Sequence, residues 1–257
     1  MSATLTLDGE GQSQGGGAAA AAQQPVAGAL HTAVLLVILL GGAGLMFFSA
    51  GQLRTAAHPN RTGLYLTTVI WEWMLTAYVL WGVRRHGTSL TEVTGAKWKG
   101  FLDFARDFGI ALAFWFVALM VLGGVAFALH FRGSKESIGF LAPRGFAEVA
   151  LWIVVCVTAG FCEETIFRGY LQKQLHAITG SPAAAVAIQA ICFGIAHSYQ
   201  GVKSMVTISV YGALFGILAL HRKSLRPGMI QHAMQDSFAG LGFALLKRLG
   251  KVPAVFF

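Results

Sequence analysis

The sequence predicts an all-α protein, a polytopic transmembrane bundle of about seven to eight helices. Of the 257 residues, 55% are apolar and only 12% are charged, whereas about a quarter of the residues in a soluble domain are charged. Residues 32–53, 108–129 and 177–196 each form a long run without Asp, Glu, Lys, Arg or His. About 20 apolar residues cross the hydrocarbon core of a bilayer as a helix, so these runs predict membrane spans.

Seven apolar segments account for the predicted helices. They lie at about residues 30–51, 63–83, 107–130, 147–173, 182–199, 204–221 and 228–246. Loop-like sequences separate them, and Pro182 and Pro227 stand near helix starts, where a missing backbone N–H does little harm.

The chain divides into four parts by composition. Residues 1–28 are rich in Gly, Ala, Gln and Ser, and such a segment buries too little apolar surface to offset its ordering entropy. We therefore expect a disordered N-terminal tail at 1–28 and N-terminal transmembrane helices at 29–145. A motif-bearing core at 146–246 and a short C-terminal tail at 247–257 follow.

The positive net charge of +8 is typical of membrane proteins, whose loops carry Lys and Arg that fix orientation. Nucleic-acid binding needs a basic soluble face, and no soluble segment is long enough to form one. The expected partner is the lipid bilayer, with no nucleic acid. Cys156, Cys162 and Cys192 lie in apolar segments without metal-type spacing, which predicts buried, reduced thiols.

Ionisable side chains within the apolar segments are functional candidates, since each costs about 2.5–3.5 kcal/mol to insert at bilayer depth. In CEETIFR, Glu164 precedes Arg168 by four residues, the favourable order for an ion pair on one helix face. Glu163 points about 100° away. One interpretation makes all three a structural ion cluster between helices. The other makes Glu164 and Arg168 a supporting pair and leaves Glu163 as a general base that activates water.

Three further segments carry buried polar candidates. His197 ends an apolar segment, where a lone histidine is more often structural. His232 and Asp236 share one helix face, so Asp236 can orient His232 by accepting a proton from a ring nitrogen; the alternative is a polar clasp between helices. Glu72 has no partner nearby in sequence, which favours a structural or lateral-gate role. Simple segmentation puts His197 and His232 at opposite membrane faces, so one segment must be shorter, broken or re-entrant.

Two reactions fit these residues if they converge on one buried site. In the first, Glu163 and His197 activate a water while His232 and its neighbour polarise a carbonyl, which is peptide hydrolysis without a nucleophilic side chain and without a required cofactor. In the second, Glu163, His197 and His232 bind zinc, which lowers the pKa of the bound water to about 7, although no HExxH signature is present. A non-catalytic membrane protein that uses the same residues to bind a partner helix or to carry protons is the alternative from another class.

Three ordered motifs carry a family resemblance. EETIFR at 163–168 matches EExxxR, FGIAH at 193–197 matches FxxxH, and HAMQD at 232–236 matches HxxxN/D. Over about residues 145–245 the chain resembles the CPBP family of CAAX prenyl proteases and bacteriocin-processing intramembrane proteases, also called the Abi family. The resemblance implies an intramembrane endopeptidase with its protease core at 146–246. It also implies a peptide or prenylated-protein substrate. The Gly/Ala-rich tail and the compact size resemble those of a prokaryotic member, so we expect the plasma membrane of a prokaryote.

The resemblance also implies a role for each motif position. Glu163 would be the catalytic base, His197 would help to hold the attacking water, and His232 with Asp236 would stabilise the oxyanion. Glu164 and Arg168 fill the remaining positions. The family has been described both as metalloproteases and as glutamate proteases that require no cofactor.

One motif position differs in its chemistry. The HxxxN/D motif has either Asn or Asp at the position of Asp236. Asn can donate a hydrogen bond, whereas an ionised Asp only accepts. Asp236 must therefore be protonated or act through His232. The alternative for a chain with this substitution is a scaffold or immunity protein, a pseudo-protease that binds a partner with the same polar cluster.

Overall fold

The computed structural model describes residues 23–55, 60–131 and 141–250. Within these ranges the chain forms helices and connecting turns and no strand, which confirms the all-α prediction. The α-helices are α1 (Ala29–Thr55), α2 (Arg61–Arg85), α3 (Leu90–Thr94), α4 (Phe101–Ala128), α5 (Phe146–Glu163), α6 (Gln172–Thr179), α7 (Pro182–Ala196), α8 (Val202–Arg222) and α9 (Arg226–Arg248). A π-helical segment, Glu164–Leu171, joins α5 to α6.

Every predicted apolar segment is helical, and several helices begin at a recognisable cap. The Asn60 side chain accepts a hydrogen bond from the backbone N–H of Gly63 at the start of α2. Ser181 does the same for Ala184, and Pro182 occupies the first turn of α7, an arrangement that satisfies N–H groups otherwise left without a partner. The short α3 lies in a stretch predicted as a loop.

Five helical stretches among the described residues are long and apolar enough to cross a membrane. They are Ala29–Gln52, Arg61–Arg85, Phe101–Ala128, Phe146–Thr179 and Val202–Arg222. Large apolar side chains on their outer faces are exposed, among them Phe48, Met120 and Phe127. Exposed apolar surface of this extent is stable in lipid rather than in water. The chain is an integral membrane protein.

Two of the predicted segments are not among these five. Helix α7 has 15 residues, which gives a length of about 22 Å, shorter than the hydrocarbon core. Helix α9 carries Gln231, His232, Gln235 and Asp236 in its first half. The polar half of α9 is accommodated inside the bundle, where Gln231 and His232 are buried.

The chain ahead of α1 is fixed to the bundle through Gln174 of α6. Its Oε1 atom accepts hydrogen bonds from the backbone N–H groups of Val26 at 2.9 Å and Ala27 at 3.2 Å. Val26 and Ala27 are buried, although they belong to the predicted disordered tail. Residues 1–22 of that tail and residues 251–257 of the C-terminal tail lie outside the described residues.

A glycine lets α9 approach α5 closely just before the glutamate pair. A Cβ atom at Gly160 would lie 2.7 Å from the carbonyl oxygen of Met229 and 3.0 Å from Ala233. Any side chain at residue 160 therefore requires the two helices to separate. Because Met229 and Ala233 flank His232, this contact sets the distance between His232 and the glutamates.

Candidate active site

The glutamate pair lies where the backbone changes from an α-helix to a π-helix. Helix α5 ends at Glu163, and Glu164 begins the wider turns of the π segment. The backbone N–H of Gln172 bonds to the carbonyl of Phe167, five residues earlier, which is the π-helical pattern. All eight residues of the segment are buried. Short π-helical stretches within helices occur frequently at functional sites.

Glu164 and Arg168 form a buried ion pair. Arg168 Nη1 lies 2.9 Å from Glu164 Oε1, and its Nη2 donates to the backbone carbonyl of Gly212 in α8 at 3.3 Å. The guanidinium carbon lies 4.1 Å from the ring centre of Phe193 and 4.9 Å from that of Phe215, which is a cation–π distance. Glu163 makes no direct contact with Arg168 in this pair, and whether the three charges act as one structural cluster stays an open alternative.

His232 is oriented by Glu164. Its Nδ1 atom lies 3.0 Å from Glu164 Oε1. An ionised carboxylate, as the ion pair with Arg168 favours, only accepts, so Nδ1 carries the hydrogen and Nε2 points to the other side of the ring. Nε2 lies 3.7 Å from Glu163 Oε2 and 3.6 Å from Asp236 Oδ2. The hydrogen bond expected between Asp236 and His232 is therefore made by Glu164, and Asp236 stands just beyond hydrogen-bond distance.

His197, like His232, directs its Nε2 atom toward Glu163. Its Nδ1 lies 2.8 Å from the backbone carbonyl of Phe193, which only accepts, so this nitrogen is the donor. Its Nε2 then lies 3.7 Å from Glu163 Oε2. Phe193 thus explains both ends of the FxxxH motif, because its carbonyl fixes the ring of His197 and its own ring covers Arg168.

Both histidines approach the same carboxylate oxygen, Oε2 of Glu163. The Nε2 atoms of His197 and His232 each lie 3.7 Å from Glu163 Oε2, and that oxygen is buried and accepts no hydrogen bond from a donor group among the described residues. The Glu163 and His197 side chains are 12% and 17% exposed, whereas Asp236 is 39% exposed. The cluster is therefore enclosed except on the side of Asp236.

Two neighbours of the cluster were not assigned to it from the sequence. Glu72 is buried in α2, which packs against α5 through the stacked rings of Trp73 and Phe161. Tyr199, in the short turn after α7, has its ring centre 6.1 Å from that of His197. Desolvation raises the pKa of the Tyr199 phenol, so the group stays a neutral hydrogen-bond donor. The only feature of the sequence that could have assigned Tyr199 to the cluster is its position two residues after His197.

The zinc interpretation stays a prediction. No group of three or more His, Cys, Asp or Glu side chains among residues 23–55, 60–131 and 141–250 is arranged to hold a metal ion. The histidine atoms that this interpretation would use, Nε2 of His197 and Nε2 of His232, each lie 3.7 Å from Glu163 Oε2.

The fold and the site define a class: an integral membrane protein with buried glutamates and histidines gathered at one point between its helices. Residues 145–238 match the family model described as type II CAAX prenyl endopeptidase Rce1-like. This match confirms the resemblance carried by the three motifs. At the level of the family it supports a CAAX-type intramembrane endopeptidase. Searches of curated proteins and of solved structures gave no match.

Proposed function

We propose that this protein is an intramembrane endopeptidase that hydrolyses a peptide bond with a water activated by Glu163 and His197. The convergence of two imidazole Nε2 atoms on Glu163 Oε2, each at 3.7 Å, is the observation that supports it best. Polar atoms separated by more than about 3.5 Å are commonly bridged by water. A water at this point meets a buried carboxylate and a histidine lone pair.

The hydrolytic step follows from the acceptor atoms. The water donates one hydrogen to Glu163 Oε2 and the other to His197 Nε2, and its oxygen attacks the carbonyl carbon of the scissile peptide. Glu163 takes the proton as the C–O bond forms, and general-base assistance of this kind accelerates reactions by about 10²–10⁴-fold. The same proton then passes to the leaving nitrogen as the C–N bond breaks. The products are a carboxylic acid and an amine.

His232 stabilises the oxyanion. Carboxyl groups of Glu163, Glu164 and Asp236 lie within 3.7 Å of its ring nitrogens, and neighbouring negative charge favours the positively charged imidazolium. In that form Nε2–H donates to the developing oxyanion while Nδ1–H is held by Glu164. In this proposal Asp236 acts through His232, whose Nε2 lies 3.6 Å from Asp236 Oδ2, because an ionised Asp cannot donate a hydrogen bond as Asn does.

The substrate of this reaction is a peptide or a prenylated protein that reaches the site from the bilayer. The family-level match supports the CAAX type of substrate, and the enclosure of Glu163 supports a segment that enters from the side of Asp236. The plasma membrane of a prokaryote, predicted from the composition of the sequence, is part of the same proposal.

Cleavage of fluorogenic peptides, with and without a prenylated cysteine, tests the function. Purified wild-type protein and the His197→Ala variant are assayed in detergent with and without a zinc chelator. We expect wild type to cleave at least one peptide, His197→Ala to lose most activity, and the chelator to have no effect. Loss of wild-type activity on chelation, restored by added zinc, would replace the proposed mechanism with a metal-dependent one. Absence of cleavage, together with unchanged binding of a partner by His197→Ala, would support the scaffold alternative.

A further inference from the structure

Two buried glutamines extend the faces of the first two motifs by about one helical turn. Gln172 follows Arg168 by four residues, and Gln189 precedes Phe193 by four, so each lies beside its motif residue. Gln172 is only 3% exposed, and Gln189 is fully buried. Neither glutamine belongs to the three motifs.

Both glutamines donate hydrogen bonds to backbone carbonyl groups of α8. Gln189 Nε2 donates to the carbonyl of Gly212 at 2.9 Å, and Gln172 Nε2 donates to that of Gly216 at 3.1 Å. Arg168 Nη2 also donates to the carbonyl of Gly212, at 3.3 Å. Side chains from the π segment, α6 and α7 therefore hold the same turn of α8.

The two glycines leave the space that these side chains occupy. A Cβ atom at Gly216 would lie 2.7 Å from both Gln172 Oε1 and Gln189 Nε2. A Cβ atom at Gly212 would lie 3.0 Å from the ring of Phe193. The backbone of α8 thus lies directly against the two amide groups, and its position is set by specific contacts.

These glutamines are an expensive way to fill the bundle. Oε1 of Gln172 and Oε1 of Gln189 are buried and accept no hydrogen bond from a donor among the described residues. A buried acceptor without a partner destabilises a fold, and an apolar side chain of the same shape avoids that cost. The two carbonyl groups also lie inside α8, whose own backbone bonds already satisfy them. Stability alone therefore gives no reason for glutamine at either position.

Phe215 connects this turn of α8 to the candidate active site. It stands between the two glycines and is 1% exposed. Its ring centre lies 5.3 Å from that of His232 and 4.9 Å from the guanidinium carbon of Arg168. These are the distances of aromatic and cation–π contacts. A shift of α8 would therefore move the surface against which the His232 ring packs.

We propose that Gln172 and Gln189 are positioning residues: they hold α8 so that Phe215 keeps the His232 ring in place beside Glu163. This inference rests on the proposed function, in which His232 Nε2 stabilises the oxyanion. Neither glutamine touches the reacting groups, and each acts through Phe215. Because a displacement of about 1 Å at the reacting groups can lower a rate about 10²-fold, a small shift of α8 is enough to impair catalysis.

Methionine variants test the two donors. Gln172→Met and Gln189→Met keep the length of the side chain and remove the N–H donor. We expect each to lower kcat about 10- to 100-fold, with little change in KM. Gln174→Met is the matched control and should keep the wild-type kcat, because Gln174 is equally buried but bonds to Val26 and Ala27, away from α8. Equal losses in the three variants would reflect packing alone and would overturn the proposal, as would an unchanged kcat in both Gln172→Met and Gln189→Met.

A double-mutant cycle tests the route through Phe215. Phe215→Leu should itself lower kcat. Adding Gln189→Met to Phe215→Leu should then cost much less than Gln189→Met costs alone, because residues that act through a shared contact give non-additive effects. Additive losses would contradict the route through Phe215 and overturn the proposal.

A measurement without substrate tests the position of α8 itself. In protein with isotope-labelled arginine, the NMR signal of the Arg168 Nε–H group should be displaced by the rings of Phe193 and Phe215, whose centres lie 4.1 and 4.9 Å from the guanidinium carbon. It is assigned as the signal missing from Arg168→Lys. We expect it to move in Gln172→Met and to stay in place in Gln174→Met; an unmoved signal in Gln172→Met would overturn the proposal. Absence of cleavage by wild type, with a moved signal, would instead reject the proposed function and leave the hold of the glutamines on α8 established.

Discussion

His232 Nδ1 lies 3.0 Å from Glu164 Oε1 although the two residues are 68 positions apart. The second glutamate of the EExxxR motif thus supports the histidine of the third motif, and Arg168 in turn holds that glutamate at 2.9 Å. This chain of contacts gives the two adjacent glutamates different partners. Glu164 contacts Arg168 and His232 Nδ1, whereas Glu163 faces Nε2 of His197 and of His232.

Replacing Glu164 with Gln should impair catalysis through His232. The amide keeps the size of the side chain but loses the negative charge that fixes Nδ1–H and favours the imidazolium. We expect kcat to fall about 10- to 100-fold, as the loss of a hydrogen bond to a charged group implies, with KM changed far less. Steady-state kinetics on a cleaved peptide measure this split. An unchanged kcat would mean that His232 does not depend on Glu164.

The buried ion pair should show strong coupling in stability. Arg168→Met alone leaves the carboxylate of Glu164 buried without its partner, which typically costs about 3–5 kcal/mol of unfolding free energy. Adding Glu164→Leu removes the orphaned charge, so the double variant should be more stable than Arg168→Met. Unfolding in detergent followed by circular dichroism gives the three free energies. Additive effects of the two substitutions would contradict the pairing.

The contact between α5 and α9 at Gly160 should be intolerant of a methyl group. In Gly160→Ala the new Cβ would lie 2.7 Å from the Met229 carbonyl oxygen, so α9 must move and carry His232 away from Glu163. We expect activity to fall at least tenfold, because small displacements of reacting groups have effects of about 10²-fold. Gly109→Ala in α4 is the matched control, since nothing lies within 4 Å of a Cβ there. Similar activity in both variants would show that the close approach is not needed.

Asp236 should be replaceable by Asn but not by Ala. Asn donates a hydrogen bond to the oxyanion directly, whereas Asp acts through His232, whose Nε2 lies 3.6 Å away. Asp236→Asn should therefore retain activity within about tenfold, and Asp236→Ala should lose about 10²–10³-fold, as expected for loss of oxyanion stabilisation. Cleavage rates, measured by quantifying the product, distinguish Asp236→Asn from Asp236→Ala. A fully active Asp236→Ala would exclude this residue from the reaction.

Much of the fold follows from hydrophobicity alone. The seven apolar segments are all helical because a helix satisfies the backbone hydrogen bonds of an apolar segment within the segment itself. The ion pair of Glu164 and Arg168 was also predictable, since residues four apart on a helix are neighbours. The Rce1-like match over residues 145–238 confirms the resemblance read from the three motifs.

Other features depend on contacts that sequence does not encode locally. The predicted placement of His197 and His232 at opposite membrane faces assumed that each apolar segment spans the bilayer. Helix α7 stops after 15 residues and α9 is polar in its first half, so both histidines reach Glu163. The π segment has no distinct composition, and it is held by the packing of its eight buried residues.

The surroundings of Glu72 show the same limit. Glu72 lies in α2, which packs against α5 with Trp73 stacked on Phe161, and no periodicity in either segment predicts which helices become neighbours. A lone glutamate in an apolar segment indicates a buried polar contact but not its partner.

The most direct test of the account is to compare Glu163→Gln with Glu92→Gln in the same peptide-cleavage assay. Both variants remove one carboxylate and keep the side-chain size, and Glu92 caps the short helix α3, a role that Gln can also fill. We predict that Glu163→Gln binds the peptide with unchanged affinity and loses at least about 10²-fold in kcat, while Glu92→Gln matches wild type. Cleavage by Glu163→Gln at the wild-type rate would contradict the assignment of Glu163 as the base.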